Sequence, residues 1–157
     1  MKNNTSNTSI KTYTYHLATL IIDNFNMFLP QSDIKSIESL YELTSEGEYN
    51  GNIGVIHKSG DIIPVYSLSK TLDILDTVPE KRNQCVVIKH DKGDYAVICT
   101  DTRYVVMTDA KFQEIPMAMR TNNMPLKYLC LFKNEHCEQK LGMISDSKCL
   151  KNYILTR

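Results

Sequence analysis

The feature that most constrains this chain is its rhythm: short runs rich in Tyr, Thr, Ile and Val, each closed by turn residues before a long helical pattern builds. Such runs suit a pleated, half-buried surface. Residues 13–22 form the first; Asp23-Asn24 turns the chain, because both side chains bond nearby backbone and tolerate positive φ. Residues 26–29 return as its partner, and Pro30, with no N–H to offer, ends the ladder. Residues 53–56 and 62–66 flank the Gly-bearing turn His57-Lys58-Ser59-Gly60-Asp61 and read as a hairpin, with Pro64 assigning its second run to an edge or a bulge. Residues 85–89 and 95–99 repeat this around Asp91-Lys92-Gly93-Asp94, residues 105–107 continue it, and residues 128–132 and 140–145 pair around a polar loop. Ser32 is placed to cap one helical turn within residues 32–37. Residues 67–75, apolar at Leu68, Leu72 and Leu75, have helical spacing and predict the longest helix. Residues 44–52 read as a polar loop, and residues 109–125, with Pro116 and Pro125, as irregular. About nine or ten short strands with turns every 8–12 residues predict an all-β barrel or sandwich with a few short helices, and no βαβ rhythm is present.

A chain of 157 residues is long enough for one core. Residues 1–12, polar except for Met1 and Ile10, are expected to be a flexible tail, and residues 13–157 a single domain. Lysine plus arginine equals aspartate plus glutamate at 18 each, so neither nucleic acid nor an anionic membrane is an expected partner. The first residues lack the apolar core of a signal peptide, and no stretch approaches the ~20 apolar residues of a membrane span. The expected location is the cytoplasm, without membrane insertion. Five cysteines, an odd number without a C-x-x-C pair, fit reduced thiols.

No chemistry-bearing motif stands out. The six glycines form neither a phosphate loop nor a nucleophile elbow. Cys130, His136, Cys137 and Cys149 do not match structural zinc spacing. Cys99 near Asp101, with a distant histidine, is a combination that arises by chance. The carboxylate pairs Glu46/Glu48 and Asp73/Asp76 read as solvated, and the nine tyrosines lack the interleaved basic residues of a base-stacking platform. The expectation is no catalytic residue, no metal and no cofactor, hence a protein that binds other proteins.

Four segments in order resemble the CheW-like coupling domains of bacterial chemotaxis. LIIDNFNMFLPQSDIKSIESL resembles their opening strands, with Ile34 and Ile37 at the apolar positions of a V-x-x-V segment. GVIHKSGDIIPVYSLSKTL resembles G-V-x-N-L-R-G-x-x-x-P-V-x-D-L, with Gly54, Val55, Gly60, Pro64, Val65 and Leu68 in matching positions. CVVIKHDKGDYAVICTDTRYVVM is similar to the strand pair ending in V-D-x-V, with Asp101 at its aspartate, and YLCLFKNEHCEQKLGMISDSKCL to the closing hairpin and short terminal element. The resemblance implies two small five-stranded antiparallel β-barrel lobes packed together. It also implies an adaptor that couples the regulatory domain of a CheA-type histidine kinase to a chemoreceptor's cytoplasmic tip, through contacts near Ile34, Ile37, Gly54, His57, Lys58, Ser59, Gly60 and Asp101. The sequence departs from the pattern where His57-Lys58-Ser59 replaces Asn-Leu-Arg, Ser36 a glutamate and Ser67 an aspartate. Apolar and turn positions are kept while polar signatures are lost. That leaves open a divergent interaction module serving another partner or a motility system.

Overall fold

The computed structural model describes residues 13–45, 51–108, 110–121 and 123–156. The expected flexible tail, residues 1–12, lies outside them, as does the middle of the expected loop 44–52. Two sheets form, each of six strands.

The first sheet combines both ends of the chain. β1 (Thr14–Ile22) and β2 (Phe25–Pro30) form a hairpin, with Asp23 at a φ of 56° in its turn. Four later strands join them: β9 (Asp101–Thr108), β10 (Phe112–Glu114), β11 (Tyr128–Lys133) and β12 (Gln139–Ile144). Their order is β10-β11-β12-β2-β1-β9. The second sheet holds β3 (Ile34–Ser39), β4 (Gly54–Lys58), β5 (Asp61–Leu68), β7 (Gln84–Ile88) and β8 (Tyr95–Cys99) in the order β3-β7-β8-β5-β4. The two-residue β6 (Ile74–Leu75) pairs with the end of β5. Eight of the ten ladders between named strands are antiparallel, but each sheet also holds a parallel pair, β12 with β2 and β5 with β8, that no hairpin turn specifies.

Side-chain alternation divides the apolar residues into three clusters. On β7 and β8, Val86, Ile88, Tyr95, Val97 and Cys99 face the layer between the lobes, while Cys85, Val87, Ala96 and Ile98 fill the second lobe's interior. Strands buried on both faces read as continuous apolar runs, which is why QCVVI and YAVIC lack polar alternation. The first lobe's interior holds Leu17, Phe28, Cys130 and Ile144, with Tyr15, Val105, Met107, Phe112 and Phe132 only partly buried around them.

Three local expectations are corrected. Residues 67–75 are not a helix: Ser67 and Leu68 finish β5, Leu72 takes a φ of 66°, and Ile74–Leu75 returns as β6. Ser69 Oγ accepts from the Thr71 and Asp73 N–H groups and holds the reversal, an ST-turn that outcompetes a weak periodicity. The sole α-helix among the described residues is α1 (Ser147–Leu155), which presents Leu150, Tyr153 and Ile154 to the inter-lobe layer. Asp146 caps it by accepting from Cys149 N–H at 2.7 Å. Finally, the 3-10 turn near Ser32 spans Gln31–Asp33, follows Pro30 and has no side-chain cap. Pro64 stands where β5 pairs with β4 alone, since β8 joins at Val65, so its missing N–H costs no ladder bond to β8.

Candidate functional site

The β4–β5 hairpin turns on Ser59 (φ 51°) and Gly60 (φ 86°), two adjacent left-handed residues as in a type I′ turn, whose twist matches the strands it joins. His57, Ser59 and Gly60 are exposed at this tip, and His57 pairs across the hairpin with Ile62, which is 64% exposed. Lys58 reaches sideways instead: its ammonium donates to the Glu38 carboxylate. That ion pair joins β4 to β3, the two ends of the second sheet's strand path. Thr44 and Val55 exchange backbone bonds of 2.9 Å beside it, so the second sheet curls into a barrel. Ile37 neighbours Glu38 and is 39% exposed.

The seam therefore gathers Ile37, His57, Lys58, Ser59 and Gly60 from the expected set and adds Glu38 and Ile62. Sequence reading missed the latter two. Ile62 carried a signal in its place opposite His57; Glu38, 20 residues from Lys58, carried none. Ile34 and Gly54 are buried. A Cβ at Gly54 would lie 2.4 Å from Thr44 O, so glycine lets the closing bridge approach. Asp101 stands on the other lobe, accepting from Arg103 Nε at 2.9 Å, while Arg103 Nη1 donates to Glu135 at 2.5 Å.

A second polar locus surrounds the α1 N-terminus, where a cleft of about 680 Å³ is lined by Asp33, Lys35, His90, Asp94 and Ser147 among others. Several of its polar groups are paired. Lys35 Nζ meets Asp94 at 2.6 Å, Lys127 meets Asp146 at 2.6 Å, and Ser147 N–H donates to Asp33 at 2.9 Å. Burial pushes Asp94 and Asp146 up, but their lysine partners and the N–H groups of His90 and Cys149 outweigh it and hold both carboxyls below the ordinary range. Burial, then Lys151, lowers His90.

Cys85 and Cys99 are placed against nucleophilic chemistry. Burial pushes Cys99 up to about 11 and Cys85 up to about 12, opposite to the depressed value an activated thiolate needs. Cys99 lies 3.1 Å from Thr102 Oγ1. Cys130 is in the first lobe's interior, Cys137 in an exposed hairpin loop, and Cys149 on α1 against Met124 O. No group of three potential metal ligands gathers among the described residues. No helix there is long and apolar enough to cross a membrane.

One buried cation ties the lobes. The Arg82 guanidinium, fully buried, donates to Leu68 O and, at 3.1 Å, to Asp23 in the β1–β2 turn.

No protein-family model matches the sequence, and no curated protein matches it either. Among solved structures, the scaffolding protein TtCheW from Thermoanaerobacter tengcongensis is similar with a TM-score of 0.65, at 14% identity, over 85% of this chain and 89% of that one. The fold is CheW-like. At this identity the likeness rests on architecture alone.

Proposed function

We propose that this chain is a non-enzymatic, cytoplasmic adaptor that couples a CheA-type histidine kinase to chemoreceptors. The observation that carries the reading is the CheW-like fold spanning 85% of the chain, shared with a scaffolding protein. The seam of Ile37, His57, Lys58, Ser59 and Gly60 supports it: exposed apolar groups beside a rigid turn offer contact area at little ordering cost. Asp101 belongs to a separate contact, tied into the Arg103–Glu135 pair. The test is a pull-down with the regulatory domain of a CheA-type kinase from the same cell. A complex at tens of micromolar or below supports coupling; none at that level contradicts it.

One observation favours a second reading, a module of the same fold serving another protein or a motility system. In place of a free arginine fork, the turn carries Ser59, and Lys58 is committed to Glu38. If this holds, Ser59→Arg leaves kinase and receptor binding unchanged.

A further inference from the structure

The first lobe is a barrel with a gap. β9 and β10 run on in one direction, β9 pairing with β1 and β10 with the start of β11, so the lobe closes at one end only. There Phe112 packs tilted against Tyr15 and stacks on Tyr128, with centroids 4.5 and 6.2 Å apart. At the other end β9 and residues 131–133 of β11 diverge, and among the described residues neither of these edges has a further backbone partner. Between them lies a groove of about 1210 Å³ whose floor includes Ile21, Phe28 and Phe132 and whose wall includes Val105 and Met107. Among the described residues the Arg103–Glu135 ion pair is the one salt bridge across the mouth, and both side chains are more than half exposed. Such exposed pairs contribute little to stability.

Natural edge strands usually carry lysine, proline or a bulge that discourages pairing. β9 is eight residues long, has an unbroken register with β1 and holds no proline; its two charges, Asp101 and Arg103, lie at its start and pair with each other, while Tyr104 and Val106 beyond them are exposed. The rim also has a charge preference. Its carboxylates are already held by arginines, Asp23 by Arg82 and Glu135 by Arg103, whereas Lys111 and Lys133 have no carboxylate partner among the described residues.

We infer that this gap receives an extended segment of a partner protein, added as a strand to the free edge of β9, with apolar side chains directed onto the Phe28–Phe132 floor and acidic residues at its flanks facing Lys111 and Lys133. Eight residues of β9 offer an edge of about 26 Å, enough for one strand of ordinary length. The chain's own residues 1–12 are a poor occupant because they bring Met1 and Ile10 as their only large apolar side chains to an apolar floor. This surface is on the opposite lobe from the His57–Gly60 turn and stands whether or not the chain couples a kinase.

The test uses the full chain and a synthetic peptide of about nine residues alternating valine with threonine and bearing glutamates at both ends. Site-resolved amide exchange is read with and without it. Saturable binding that slows exchange in β9 and at residues 131–133, and that weakens about tenfold in the Lys111→Glu/Lys133→Glu double variant, is expected. Unchanged kinase pull-down by that variant separates this surface from the adaptor seam. The inference is overturned by no protection at millimolar peptide or by protection elsewhere. It is also overturned if the free chain's β9 edge is already protected and is released by deleting residues 1–12, or if protection scales with protein concentration as in a dimer through β9.

Discussion

The two lobes share a strand-rich design but differ in closure. The second lobe joins its sheet ends through the Thr44–Val55 bridge and the Lys58–Glu38 pair, and its interior residues Ile56, Ile63, Val65, Cys85, Val87, Ala96 and Ile98 are all at most 1% exposed. The first lobe leaves β9 and the end of β11 apart, and most of its interior ring is only partly buried. A closed barrel uses up its edges and becomes a rigid frame; an open one keeps backbone donors and acceptors available. The difference assigns side-chain contacts at the seam to one lobe and strand pairing to the other.

The largest effect is expected where the lobes meet. Arg82→Met removes a buried guanidinium that serves Leu68 O and Asp23, and denaturant unfolding should show a loss of about 3 kcal/mol. A loss below 1 kcal/mol means the lobes hold together through apolar packing alone. Next, alanine at two glycines separates the lobes directly. In Gly54→Ala the new Cβ meets the Thr44 carbonyl oxygen at 2.4 Å, backbone that cannot yield without opening the barrel, so about 3 kcal/mol is expected. In Gly142→Ala it meets the Phe28 ring at 2.3 Å, the end of a side chain and not backbone, so about 1 kcal/mol is expected. Equal costs would remove the distinction.

Smaller again is the α1 cap: Asp146→Ala should cost about 1 kcal/mol, read as a lower Tm. Asp94 and Asp146 have folded values below their unfolded ones, so their contribution is complete above the ordinary carboxylate range and is lost as pH falls through the depressed values. Below about pH 4 the wild type should lose stability more steeply than Asp146→Ala, measured by thermal melts across that range.

Much of the fold was legible because hairpins are local. Asp23, Ser59 and Gly60 adopt the positive φ their turns require, and each sits between the runs that pair. The parallel contacts of β2 with β12 and β5 with β8 were not legible, since pairing across long separations leaves no mark at either strand. The helix was misplaced for a related reason. Leu68, Leu72 and Leu75 mimic a helical stripe while Ser69 reverses the chain, whereas Asp146 followed by Leu150, Tyr153 and Ile154 is a genuine capped stripe. Of the site, the exposed turn could be read from its glycine; the partners Glu38 for Lys58 and Asp23 for Arg82 are 20 and 59 residues distant and emerge only from the fold.

Amide exchange of the free chain, resolved by residue, tests the contrast between lobes most directly. The account predicts that β7 and β8 exchange only through global unfolding, while the outward amides of β9 and of residues 131–133 exchange faster by orders of magnitude. Equal protection of the β9 edge and the β7–β8 core would contradict it.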